Sequence, residues 1–216
     1  MRRGDWFGQE HSGADHILTL LRKLRLDWLL HHFSPRLVRS LYVFVNSFVT
    51  IGVLTVVALV SRNPFVFPSL GPTAYLVFFS PLAKASSPRN TILGHAIGLI
   101  CGYAAFVMTG AGALPFGAHN GVFWPRILAA ALSLSVTGAL MVLLDISHPP
   151  AGATTLIVSL GIISKPRELF IIEVAVCLLV AQAWAINRLA GLAYPLWNEG
   201  EQSRGQVSAP ETCRRP

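Results

Sequence analysis

Uncharged apolar runs decide most of what this chain can fold into. Leu41 to Val60 contains no charged residue, and neither does Ile127 to Leu144. A run of about 18 or more such residues is the length that carries a helix through hydrocarbon. Over the whole chain 53% of residues are hydrophobic and 12% are charged, against about 25% charged in a soluble domain. The charges crowd into residues 1–40 and 197–216 and into short breaks between the apolar runs. A soluble fold would have to bury several such helices completely inside one small domain. The expectation is an all-α fold, a polytopic membrane helix bundle.

Four long segments are expected at 41–60, 90–109, 126–145 and 168–188, with two shorter ones between them. Phe65 to Ala83 is uncharged but carries Pro68, Gly71, Pro72 and Pro81. Pro149 to Ile163 is uncharged and opens Pro149-Pro150-Ala151-Gly152. Both read as broken or half-length helices. The two belong to an internal repeat. Pro68-Ser69-Leu70-Gly71-Pro72-Thr73 matches Pro149-Pro150-Ala151-Gly152-Ala153-Thr154, and Ser86-Ser87-Pro88-Arg89 matches Ser164-Lys165-Pro166-Arg167. A long apolar helix follows each arginine. The domain expectation is a cytoplasmic N-terminal region at 1–38 with an amphipathic interfacial helix at 15–32. A membrane domain at 39–190 follows, with repeat one at 39–109 and repeat two at 125–190. A polar, disordered tail at 191–216 ends the chain.

If the short segments cross the membrane, each unit holds three crossings and the second is inverted. This is the transporter architecture in which paired Gly/Pro-interrupted segments mark the binding site. If they are re-entrant, each unit crosses twice and the repeats are parallel. Residues 1–40 carry seven Lys/Arg, which places the N-terminus in the cytoplasm by the positive-inside rule. Six crossings then put Lys84 and Arg89 inside, which fits, and Lys165 and Arg167 outside, which does not. Six crossings is the reading preferred. The location expected is a cell membrane, a bacterial inner membrane, with the lipid bilayer as first partner and no signal peptide at the start.

Irregular backbone at membrane depth must line a cavity or pack inside protein. The starts of the two short helices would expose free N–H groups and a positive dipole end, suited to an anion. The expected substrate-binding set is Pro68, Gly71, Thr73, His148, Pro149, Pro150, Gly152 and Thr154. The plainer alternative is that Pro and Gly shape a tight helix crossing. His95 and Glu173 each lie six residues after a repeat arginine. They and Asp145 are candidates for charge tuning or proton coupling, because ionisable groups inside membranes are functional candidates by default. His95 and Glu173 could equally bond one another across the repeat interface. Arg89 and Arg167 are candidate mouth cations, with topology and headgroup contact as the simpler role. Gly94, Gly98 and Gly102 strip one helix face for close packing, between the repeats or between subunits of a homo-oligomer. Asn46, Ser47 and Thr50 are expected to face inward.

Other classes are poorly served. The net charge of +7 flanks apolar segments and comes without base-contacting equipment, so no nucleic acid is expected. Cys101, Cys177 and Cys213 make neither a disulfide framework nor a metal site. No Gly-x-Ser-x-Gly, His-Glu-x-x-His or phosphate loop occurs, so neither an enzyme nor a cofactor is expected.

The Ser147-His148-Pro149-Pro150-Ala151-Gly152-Ala153-Thr154-Thr155 run resembles the signature of the HPP family of bacterial and plant membrane proteins. Gly71-Pro72-Thr73-Ala74, Ser87-Pro88-Arg89-Asn90 and the following Gly94-His95 are similar to that family's earlier motif. The resemblance covers roughly residues 38–190. It implies an integral membrane protein, usually assigned four helices, and it implies transport, since plant chloroplast and cyanobacterial members carry nitrite. Some relatives add a regulatory CBS region after the membrane part. None is present up to residue 216, and nucleotide regulation in cis is not expected. The function expected is a transporter or channel for a small monovalent anion, with nitrite the candidate. The alternative is a non-transporting membrane scaffold or sensor subunit using its basic N-terminal helix.

Overall fold

A computed structural model describes residues 26–113 and 123–198. Among them are seven α-helices: α1 Leu26–His32, α2 Pro35–Ser61, α3 Leu70–Phe79, α4 Pro88–Met108, α5 Trp124–Leu143, α6 Ala151–Ser159 and α7 Pro166–Leu189. No strand occurs among the described residues. Of the expected interfacial helix at 15–32, only α1 falls within them.

The long helices match the long apolar runs, and proline sets where they begin. Pro35, Pro88, Pro125 and Pro166 each sit at the first or second helical position, where the missing N–H leaves no partner unsatisfied. Ser87 caps α4, its hydroxyl accepting from the Asn90 amide. Four helices, α2, α4, α5 and α7, are long and apolar enough to span. At 1.5 Å per residue, the 10 residues of α3 and the 9 of α6 reach only about 15 Å, half a hydrocarbon core. The outward faces are apolar: Phe44 and Phe48, Leu59 and Val60, Val142 and Leu143 are all exposed. A surface of that composition is solvated by lipid.

Helix α4 is the hub, packing on α5, α6 and α7. Its glycine stripe permits this. A Cβ on Gly94 would lie 2.7 Å from His148 Cβ, one on Gly98 2.8 Å from the Ala151 carbonyl, and one on Gly102 2.7 Å from the Thr155 carbonyl. The stripe is therefore filled by the α6 segment of the same chain. It is a contact between the two sequence units, not a surface left for the homo-oligomer considered above.

Cross-contacts fix which helix ends lie together. Lys84, just before α4, pairs with Asp145, just after α5. Residues after α7 return to the same place: Tyr194 donates to the Ser86 carbonyl, and the Arg89 amide donates to that of Trp197. The start of α2 joins them, since Arg39 and Tyr42 line one groove with Phe78 to Ala83 and Leu192. At the opposite end, Arg167 at the start of α7 donates to Asn63 after α2. Phe106, late in α4, packs under Gly161 at the end of α6. Helices α2, α4 and α6 thus run one way, and α3, α5 and α7 the other. The expected tail boundary at 190 falls short, because residues 192–197 are docked on α4; residues 199–216 lie outside the described residues.

Candidate functional site

Both short helices begin at the matched position of the repeat, Leu70 and Ala151. Thr73 and Thr154 are therefore each the fourth helical residue, and both turn inward to full burial. Between them stands His95 of α4. Thr73 Oγ1 lies 2.9 Å from His95 Nε2, and Thr154 Oγ1 lies 2.7 Å from His95 Nδ1. One imidazole joins the two broken helices.

His148 completes the cluster from the loop between α5 and α6. Its Nε2 lies 3.2 Å from His95 Nε2 and 3.3 Å from Thr73 Oγ1. Its Nδ1 lies 2.7 Å from the Ala85 carbonyl. A carbonyl only accepts, so His148 Nδ1 carries a proton and the Nε2 of the neutral ring is an acceptor. The Thr154 hydroxyl has His95 as its partner and donates to Nδ1. His95 Nε2–H is left to donate toward His148 Nε2 and Thr73 Oγ1, while Thr73 also reaches the Ser69 carbonyl at 3.1 Å. Every hydrogen-bonding group is satisfied with one proton inside the triangle of Thr73 Oγ1 and the two Nε2 atoms. Protonating His148 Nε2 as well turns both nitrogens into donors. The Thr73 hydroxyl hydrogen is engaged by the Ser69 carbonyl, so its oxygen, 2.9 and 3.3 Å from the two nitrogens, is the acceptor they share, and the cluster then carries one buried positive charge.

The profile of the HPP transmembrane region matches residues 32–195, most of the chain. The chain belongs to the HPP family. It is also similar to a transmembrane protein of Dictyostelium discoideum, 28% identical over 165 residues, which cover 72% of this chain and 54% of that protein. The chain thus spans about half the length of the curated relative it matches. No solved structure matches.

In this HPP protein the other expected site residues part into separate places. Pro68, Gly71 and Pro149 are exposed on outer flanks, while Pro150 is buried. A Cβ on Gly152 would meet Leu134 Cδ1 of α5 at 3.3 Å, so the close approach made there is helix to helix. The N–H groups expected to be free at the α6 start are not. Those of Ala151, Gly152 and Ala153 bond the carbonyls of His148, Pro149 and Pro150 at 3.0–3.1 Å in a tight first turn. At α3 the Leu70 amide bonds Phe67, and Pro72 has no N–H. The first three amides of α6 and the first of α3 are therefore already bonded within the chain.

Glu173 does not meet His95. It lines a groove of about 300 Å³ between α4 and α7, with Leu99, Tyr103 and Phe170, and its carboxyl oxygens have no partner among the described residues. Asp145 lies at the exposed end of α5, paired with Lys84, outside the apolar interior. Arg89 donates to the Leu144 and Asp145 carbonyls, and Arg167 to Asn63, so both bridge chain segments. Thr50 is fully buried and Ser47 half-buried, both with hydroxyls that have no partner among the described residues, while Asn46 bonds the Tyr42 carbonyl of its own helix. Sequence reasoning missed Ala85, whose carbonyl orients His148. It also missed Asn90, which braces the same loop from its amide nitrogen to the Lys84 carbonyl and from its oxygen to the Ser147 amide. A backbone acceptor leaves no signal in a sequence. Asn90 lies inside the quoted Ser-Pro-Arg-Asn run and was within reach.

Proposed function

We propose that this HPP protein carries a small monovalent anion across a membrane, with nitrite as the first candidate. The observation that carries the reading is the meeting of Thr73, His95 and His148 at one buried point, held from both broken helices. The neutral cluster satisfies itself. One added proton turns both facing ring nitrogens into donors and puts a positive charge in the buried cluster, which an anion bound beside it offsets, so uptake of the anion and of a proton are linked there. The buried hydroxyls of Ser69, Thr50 and Thr91 have no partner among the described residues, and unsatisfied buried groups call for a reason. Nitrite enters through the family resemblance, and the Dictyostelium relative's description as a transmembrane protein adds no substrate.

The same reading takes the two units as inverted repeats. Its support is the alternation of helix direction and the matched cross-links, in which each Pro-Arg arginine reaches the segment after the other unit's first long helix. In this arrangement α3 and α6 enter the bundle from opposite sides and bring Thr73 and Thr154 to one imidazole.

The deciding experiment is uptake by proteoliposomes of the purified protein, offered nitrite, nitrate, formate and chloride with and without a pH gradient. Saturable flux of one anion, raised by an inward proton gradient and lost in His95→Asn, is expected. Folded protein giving no flux above empty liposomes would instead favour the scaffold or sensor reading.

A further inference from the structure

The two repeat arginines do matching work at opposite ends of the bundle. Arg89 follows Pro88 at the start of α4. Its guanidinium donates to the Asp145 and Leu144 carbonyls, at 3.3 and 3.4 Å, at the C-terminal end of α5. Arg167 follows Pro166 at the start of α7 and donates to Asn63 Oδ1 at 3.1 Å, just past the C-terminal end of α2. A non-glycine residue in the left-handed region ends both long helices, Asp145 at φ 53° and Arg62 at φ 53°. A cation at a helix C-terminus is favoured by the backbone carbonyls gathered there.

The ends differ in charge. At the Arg89 end, Lys84 Nζ lies 2.5 Å from Asp145 Oδ1, an ion pair across the gap between the two units. At the Arg167 end, the nearby lysine, Lys165, which stands where the first unit has Ser87, turns back: it pairs with Glu168 of its own helix at 3.6 Å. The first crosslink is ionic and the second neutral. The ionic one is also wired to the buried cluster. Lys84 precedes Ala85, whose carbonyl holds His148 Nδ1, and Asp145 lies in the loop that leads to His148. Parting the two loops at that end draws Ala85 away from His148.

We propose that Arg89 and Arg167 are the paired latches of a two-ended gate, and that the Lys84–Asp145 pair keeps the Arg89 end shut while the Arg167 end opens first. The proposal rests on the transport reading. A solvent-exposed ion pair shifts an equilibrium by no more than about fivefold, a strength suited to a latch that must release in every cycle.

The test is a distance measurement by pulsed electron spin resonance on the full chain in lipid nanodiscs, with Cys101, Cys177 and Cys213 changed to serine. Spin labels at Leu82→Cys and Leu144→Cys report the Arg89 end. Labels at Val60→Cys and Phe170→Cys report the other. All four native positions are exposed. Asp145→Asn removes the charge and keeps a residue at home in left-handed backbone. It should raise the wide-separation population at the Arg89 end by up to about fivefold and leave the other end unchanged. Lys84→Gln should do the same from the opposite partner, and Asn63→Asp should narrow the distribution at the Arg167 end. An Arg89-end distribution unmoved by both Asp145→Asn and Lys84→Gln, or an equal widening at both ends, overturns the latch. No flux is read, so that result is distinct from a failure of the transport reading, which the uptake assay reports.

Discussion

Thr73 and Thr154 hold the two ring nitrogens of one histidine, His95, at 2.9 and 2.7 Å. Two half-length helices from different parts of the chain are thereby fixed on a single side chain of the hub helix. Removing that side chain strands the buried Thr154 hydroxyl, while Thr73 keeps the Ser69 carbonyl, and a stranded buried polar group costs about 1–3 kcal/mol. His95→Ala should lower stability by roughly 2–5 kcal/mol, cavity included, read as a fall in melting temperature in detergent, and should abolish uptake. Thr154→Ser, which keeps the hydroxyl, should retain most flux, whereas Thr154→Val should not. Equal flux from the serine and valine variants would remove the hydroxyl from the mechanism.

The glycine stripe offers a sharper stability contrast. A methyl group on Gly98 or Gly102 would run into backbone carbonyls of α6, at 2.8 and 2.7 Å, and backbone gives way less easily than a side-chain tip. Gly98→Ala and Gly102→Ala should each cost about 1–3 kcal/mol by overpacking. Gly52 and Gly138 are also inside long helices, yet a Cβ there meets nothing within 4 Å. Gly52→Ala and Gly138→Ala should be neutral or stabilising by up to about 1 kcal/mol. Thermal melts of the four variants check the contrast, and similar losses at all four would contradict the packing described.

How far the sequence carried the fold depended on the kind of signal. Uncharged length located the four long helices to within a few residues at most ends, because hydrocarbon sets that length. The Pro-Gly motifs located the starts of α3 and α6, because proline and glycine act on the local backbone. The site was half legible. His95, His148, Thr73 and Thr154 could each be named from the repeat, since each lies at a matched motif position or beside one. Their meeting could not, because it depends on how deeply α6 sinks onto the glycine stripe. Pro68 and Gly71 were drawn into the expected site by sequence proximity to Thr73, but the helical turn carries them to the outer flank. The pairing of His95 with Glu173 failed for a related reason: equal offsets from Arg89 and Arg167 fix a depth from opposite ends, not a shared face.

The docked segment after α7 supplies a pH test. Tyr194 is fully buried and donates to the Ser86 carbonyl. Burial pushes its phenol above the ordinary value of 10.0, because the phenolate is poorly solvated there. A raised value in the fold means that this contribution is complete below about pH 10 and is lost as pH rises from there toward the folded value. The melting temperature of the wild type should therefore fall as pH rises above about 10, the ordinary tyrosine value. Tyr194→Phe should melt lower at pH 7, by about 1–2 kcal/mol for the lost bond, and should fall less over the same window. Parallel pH profiles for the two proteins would show that Tyr194 does not govern the alkaline limit.

The number of crossings can be read directly from sidedness. Leu82, in the loop between α3 and α4, and Ile162, in the loop between α6 and α7, are both exposed. They occupy corresponding places in the two sequence units. If α3 and α6 only dip into the membrane and return, each unit crosses twice, and the two loops face the same side. If each short segment completes a crossing with the extended chain before it, the loops face opposite sides. The contacts favour opposite sides: Leu82 sits with the Lys84–Asp145 end, and Ile162 lies near Arg167, which reaches Asn63 at the other end. In a chain with its native cysteines changed to serine, Leu82→Cys and Ile162→Cys should react with a membrane-impermeant thiol reagent from opposite faces of sealed, uniformly oriented vesicles. Since the basic start of α2 shares an end with Leu82, the positive-inside rule assigns Leu82→Cys to the cytoplasmic face. Labelling of both cysteines from one face would reduce α3 and α6 to re-entrant segments and make the two units parallel. It would also end the account in which they enter from opposite sides to meet at His95.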